Sequence, residues 1–340
     1  MERHAYFDNA KLFLIFLVVF GHMIQPFVSQ SHNIETLYTW IYTFHMPAFI
    51  FIAGFFAKGS GNIAYIIKLA KKLIIPYIIF QVIYTGYYFL IGKSNWLTDH
   101  IFYPHWSLWF LFSLFCWHIL LIGYKKLHPA LGISIAVILG IIIGYFDQVG
   151  HTFSLSRTIV FFPYFLIGYW ASMKHIDWLK NKYVKISAIV IMVVAAMIIY
   201  MSPGINTGWL LASKSYSTLG METFGSIARL TVYMTSILMA MSILSWIPKK
   251  RFTFTVLGER TMYVYLLHGF FVQYFREYEL LHIDHFVDFL GVLFLSAGIV
   301  FLLSSKWVIS FFQPFIELSM NRLKELFRKK DRSRDQNISA

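Results

Sequence analysis

The chain has 340 residues, of which 58% are hydrophobic and only 13% charged, and its mean hydropathy is +0.62. A soluble domain cannot hide that much apolar surface, so the composition leaves an integral membrane protein. The single cysteine, Cys116, excludes an internal disulfide framework and any multi-cysteine zinc site, and the net charge of +13 is explained by basic loops facing anionic lipid, without nucleic acid as a partner.

Hydrophobic runs separated by polar or basic breaks predict an all-α, polytopic protein with about ten transmembrane helices. They fall near residues 10–28, 36–57, 73–91, 106–123, 131–147, 158–173, 186–202, 226–246, 261–278 and 287–315. With the N-terminus inside, all of the 29 Lys and Arg residues except Lys93, Arg157, Lys214, Arg229, Arg276 and Lys306 fall on the inner side. Both termini are therefore expected in the cytoplasm of a cell-membrane protein. The first run lacks a small-residue cleavage site and reads as a retained helix. Residues 1–320 read as one transmembrane domain and 321–340 as a basic cytoplasmic tail.

The first span contains KLFLIFLVVFGH. Eleven steps of helix separate Lys11 from His22, about 1,100° of rotation, so the two share a face roughly 16 Å apart along the axis. Asp8, three residues before Lys11, is placed to pair with it. His22 lies deep enough that an ionisable side chain there reads as functional, a bond to a neighbouring helix being the other reading.

In the second span, YTWIYTFHMPAFIFIAGFF, His45 reaches a similar depth. Pro47 frees a carbonyl and allows a kink beside it. The loop that follows, AKGSGNIAYIIKLAKKLIIPY, groups Lys68, Lys71 and Lys72 within about a turn and a half. They suit either a positive-inside anchor or a phosphate site. Gly59 and Gly61 match neither a Walker loop nor a dinucleotide fingerprint, so no nucleotide triphosphate site is expected.

Trp106, Trp109 and Tyr164 sit near outer span ends, as interfacial anchors or as a surface for a sugar ring. Arg157 opens the sixth span on the outer side. The long segment of about 202–225 is positioned to fold over the outer mouth. In GERTMYVYLLHGFF, His268 lies about as deep as His22 and His45. Three histidines at similar depth on separate spans point to a shared polar chamber. No His-x-x-x-His spacing supports a metal. The residues His282, Asp284 and His285 read as an exposed turn, and the last run is long enough to tilt or to continue as an interfacial helix.

Six blocks, in order along nearly the whole chain, resemble the membrane-bound acyltransferase-3 family, especially its fucose 4-O-acetylase-like branch. They are YFDNAKLFLIFLVVFGH, FHMPAFIFIAGFF, KLAKKLIIPY, WSLWFLFSLFCW, FFPYFLIGYW and LGERTMYVYLLH. The resemblance implies transfer of an acyl group, usually acetyl from acetyl-CoA, to a hydroxyl of a glycan or glycolipid. The family's arginine-x10-histidine hallmark falls on Lys11 and His22, and its paired arginines on Lys68 and Lys71, with lysine replacing arginine at each cationic position. Charge is kept while the bidentate fork is lost.

On that resemblance Lys11, Lys68, Lys71 and Lys72 are expected to draw the CoA phosphates. His22 is expected to act as general base or as a transiently acylated group. His45 and His268 would bind the acceptor or stabilise the oxyanion, with Arg157, Trp109 and Tyr164 on the acceptor side. Some relatives carry an extracytoplasmic esterase-like domain, so any second step is expected from a separate extracytoplasmic or glycan-synthesis partner. The competing class is a flippase of polysaccharide intermediates, which intramembrane histidines and a basic mouth also suit.

Overall fold

The computed structural model describes residues 4–59, 63–93, 104–105, 107–147 and 154–318. Among them every regular element is helical. The longer helices are α1 Ala5–Ile24, α2 His32–Phe55, α3 Ile63–Leu90, α4 Trp109–Tyr124, α5 Pro129–Ile142 and α6 Leu155–Trp170. A short α7, Met173–Leu179, leads into α8 Lys182–Met201. The four-residue α9, Gly208–Leu211, precedes α10 Gly225–Trp246, and α11 Thr255–Gly258 precedes α12 Thr261–Glu277. The chain ends, within the described residues, with α13 Phe286–Leu303 and α14 Lys306–Ile316. The expected basic tail and Trp106 lie outside the described residues.

Each predicted run coincides with a helix, but the last is divided. Ser304 caps the end of α13, and Ser305, with extended backbone, accepts the Val308 amide to start α14. By length and composition, five stretches among the described residues can cross a membrane: Ala5–Phe27, His32–Gly59, Lys182–Met201, Gly225–Trp246 and Phe286–Leu303. The outer surface is apolar where water would demand polarity, with Val190, Val194 and Ile198 of α8 and Phe294 and Phe301 of α13 exposed. Such a surface suits lipid. Pro47, Pro76 and Pro163 lie inside α2, α3 and α6, which continue through them, so the kink expected at Pro47 is not a break.

Long-range polar contacts gather the helix ends into two layers. In one, Lys58 donates to Ala171 O at the end of α6, at 2.8 Å. Lys180 donates to Leu244 O and Ser245 O at the end of α10, and Arg260 to Ser304 O at the end of α13. Cations placed on the last carbonyls of a helix satisfy acceptors that have no intrahelical donor and oppose the negative end of the dipole. In the other layer His32 bonds Tyr200 O, Glu35 accepts from Gly204 N, and Lys93 pairs with Gln273 and Glu277. The starts of α1 and α12 belong to the first layer, and their ends to the second.

Two of the blocks that carry the family resemblance meet through glycine. A Cβ on Gly54 of α2 would stand 2.0 Å from Phe165 O of α6, and one on Gly168 of α6 would stand 2.0 Å from Phe51 O of α2. The two backbones touch reciprocally, as small residues permit at helix crossings in membranes. The start of α1 is seated just as firmly. The Tyr6 hydroxyl donates to Leu244 O, and Asn9 donates to Pro248 O and Lys250 O while accepting from Thr255 Oγ1.

Candidate active site

Between α1, α2, α4, α6, α9 and α12 lies a cavity of about 270 Å³. Along α1 and onto Gln25 just past its end, the lining follows Ile15, Val18, His22 and Gln25, a stripe with steps of three and four. Lys11 continues that stripe one turn earlier, outside the cavity, where its Nζ pairs with Asp8 at 2.8 Å. The expected shared face and the Asp8–Lys11 pair are thus both present. Asp8 is 3% exposed, which gives the pair more weight than a surface bridge carries.

The three histidines converge. His22 and His45 line the cavity, and the His268 ring stacks on His22 with centroids 5.7 Å apart. Tyr42 joins the set: its hydroxyl lies 3.3 Å from His22 Nδ1, and its ring meets His45 edge-on at 4.4 Å. Tyr38 stacks on Tyr42 at 3.9 Å and fixes that ring. Glycines make the approach possible. A Cβ on Gly21 would press on Tyr42 at 3.0 Å, and one on Gly269 would meet Tyr84 Oη at 2.4 Å.

Hydrogen bonds define two of the tautomers. His45 Nδ1 lies 2.9 Å from Ile41 O, and His268 Nδ1 lies 2.8 Å from Tyr265 O. A carbonyl only accepts, so each Nδ1 carries the proton and each neutral ring keeps its lone pair on Nε2. His22 differs, because a tyrosine hydroxyl can serve Nδ1 as donor or as acceptor. The end of α1 is held by Arg276 of α12, which donates to His22 O and, at 2.8 Å, to Gln25 Oε1.

The remaining expected residues divide. Arg157 lines the cavity, lies over the Trp109 ring at 5.1 Å and donates to Leu211 O at 3.2 Å. Trp109 also lines it, stacked on Phe161. Tyr164 does not: it is buried against Phe161 and Tyr233 in the packing between α6 and α10, away from the cavity wall. Lys68, Lys71 and Lys72 are exposed on α3 and do not line the cavity, although Leu73, the next residue, does. The segment expected over the mouth contributes Leu210 and Leu211 of α9.

Sequence reading missed Tyr42, Tyr38, Gln25 and Arg276. Tyr42 was detectable as the residue three before His45, on the same helix face. Arg276 carried no local signal, since its partner lies 254 residues away in the chain.

The sequence profile of the acyltransferase-3 family, described as an acyltransferase domain, matches residues 4–309. A nodulation protein NolL from Mesorhizobium japonicum is 24% identical over 299 residues, covering 79% of this chain and 76% of that protein. A NolL from Sinorhizobium fredii is 37% identical over 62 residues, 17% of each chain. No solved structure matches.

Proposed function

The chain belongs to the acyltransferase-3 family and is a membrane acyltransferase, and on that premise we propose that it moves acetyl from acetyl-CoA to a hydroxyl of a cell-envelope glycan or glycolipid. The observation that carries this reading is His22 on the cavity wall, flanked by Tyr42 and stacked on His268. We assign the layer holding Lys58, Lys180 and Arg260 to the cytoplasm, with both termini, because most of the basic residues lie there. We count the ten runs as ten spans of one domain, and place the chain in the fucose 4-O-acetylase-like branch.

In this arrangement acetyl-CoA arrives from the cytoplasm. Its phosphates meet the exposed Lys68, Lys71 and Lys72, with Lys11 nearer the chamber. The pantetheine arm follows the Ile15–Val18 stripe to His22. With Nδ1 donating to Tyr42, His22 Nε2 takes the proton of the acceptor hydroxyl as that oxygen attacks the thioester carbon. The tetrahedral adduct collapses, the carbon–sulfur bond breaks, and the proton returns from Nε2 to the CoA sulfur. In the covalent variant His22 Nε2 attacks the thioester carbon and expels the CoA thiolate; the acceptor hydroxyl then attacks the acetyl carbon, the carbon–nitrogen bond breaks, and the hydroxyl proton ends on the CoA sulfur. His45 and His268 orient the acceptor or the oxyanion, and Arg157 and Trp109 face the acceptor.

Purified protein tests both halves. Saturable acetyl-CoA binding is expected, and it should be lost in Lys68→Glu/Lys71→Glu/Lys72→Glu; no binding at millimolar acetyl-CoA removes the donor assignment. His22→Ala should abolish transfer and preserve acetyl-CoA binding, whereas retained turnover would remove its role. Comparing envelope O-acyl esters in deletion and wild-type strains identifies the acceptor.

A further inference from the structure

A second cavity, about 670 Å³, opens on the side of the bundle between α2, α8 and α10. Its walls are largely apolar, with Val190, Val194 and Ile198 from α8, and Ala228, Leu238 and Met239 from α10, alongside four threonines of α2 and α10. The α8 wall is exposed at the lipid-facing surface. From Ala228 to Met239 the groove follows α10 for about 16 Å. That is roughly half of a 30 Å hydrocarbon core, the depth of one leaflet.

The groove adjoins the histidine chamber. One face of α2 presents Tyr38, Tyr42 and His45 to the chamber, while Thr39 and Thr43 line the groove. Leu210 of α9 lines both spaces. Two arginines hold α9 by its backbone. Arg229, 2% exposed, donates to Trp209 O at 2.6 Å, and Arg157 donates to Leu211 O. The helix ends at Ala212 with φ of 54°, a left-handed conformation that a non-glycine residue holds only under constraint. A buried arginine within a membrane helix is costly, and here Arg229 and the half-buried Arg157 anchor the same four residues.

We propose that this groove seats the hydrocarbon tail of a lipid-linked acceptor, whose polar head reaches the histidines past the end of α9. The proposal rests on the acyltransferase reading and narrows its acceptor to molecules delivered from the bilayer. The tail lies along α8 and α10 in the leaflet on the α9 side. At the head end the Arg157 guanidinium, on the chamber wall beside Leu211, complements an anionic link between lipid and sugar. A water-soluble polymer would have no use for the groove.

The test uses the full chain in phosphatidylcholine nanodiscs, with n-alkyl β-glucosides from methyl to dodecyl as probes. A dodecyl glucoside with a diazirine at the chain end should crosslink within residues 190–199 and 228–239 in preference to α13. Ala228→Trp, which fills the groove, should suppress those crosslinks. It should also raise KM for the dodecyl glucoside about tenfold or more while leaving that for the methyl glucoside unchanged. Val194→Trp enters from the lipid-exposed side and repeats the test if Ala228→Trp does not fold. Crosslinks as dense on α13 as in the groove, or equal KM changes for short and long glucosides, overturn the proposal. Crosslinks confined to the groove without acetyl transfer to any glucoside would leave the tail seat standing and count against the proposed acetyl transfer to a sugar hydroxyl, so the two failures are distinct.

Discussion

Tyr42 touches two of the three converging histidines, and its hydroxyl lies 3.3 Å from His22 Nδ1. Tyr42→Phe keeps the ring that stacks on Tyr38 and removes only that hydroxyl. If Nδ1 is oriented there, kcat should fall about 10- to 100-fold with KM for acetyl-CoA nearly unchanged, as measured by CoA release. Unchanged kcat would leave Tyr42 as packing alone. At this scale much was legible in the sequence. The spacing of Lys11 and His22 fixes a common helix face, and depth singles out His22, His45 and His268. Tyr164 fails for a physical reason: depth along a span says nothing about which face meets the cavity, and its face of α6 packs against Tyr233 of α10. Arg276 could not be read because capping α1 from α12 depends on the closed bundle.

At the scale of elements, the Gly54–Gly168 crossing and the lipid-facing glycines of α13 give opposite expectations for the same substitution. Gly54→Ala drives a methyl into the Phe165 carbonyl, 2.0 Å away. The α2–α6 backbones must separate, at a cost of about 2 kcal/mol or more. Thermal unfolding in detergent should show a clear fall in Tm. At Gly291 a Cβ meets nothing within 4 Å, so Gly291→Ala should hold Tm or raise it, by up to about 1 kcal/mol in stability. The helices themselves were legible as apolar runs. The break between α13 and α14 was written in Ser304-Ser305-Lys306, yet hydropathy alone passes over it, because two serines barely lower a strongly apolar window. Lys180→Met tests a cap in the same way: losing its bonds to the end of α10 should cost about 1 kcal/mol or more.

For the whole molecule, the sidedness of the two layers decides where donor and acceptor meet. In a Cys116→Ser background, single cysteines at Lys214 and Lys250 occupy exposed positions in opposite layers. A membrane-impermeant maleimide added to intact cells should label Lys214→Cys and spare Lys250→Cys. The reverse pattern would invert the assigned orientation. Basic-residue bias predicted this sidedness, and the structure adds a reason for part of the bias, since Lys58, Lys180 and Arg260 each occupy a helix end. The layout of the lysines around CoA is less legible, because long exposed side chains take their positions from the ligand they meet.

The seat of α1 has a consequence for how the protein is made. Tyr6, Asn9 and His22 leave the ribosome early, while their partners at Leu244, Pro248, Lys250, Thr255 and Arg276 are translated near the end. The first helix can pack on α2 at once, but the bonds that seat its two ends must wait until most of the chain has followed it. A polypeptide halted before Arg276 contains His22 but lacks the guanidinium that holds its backbone, so the site forms only as synthesis nears completion.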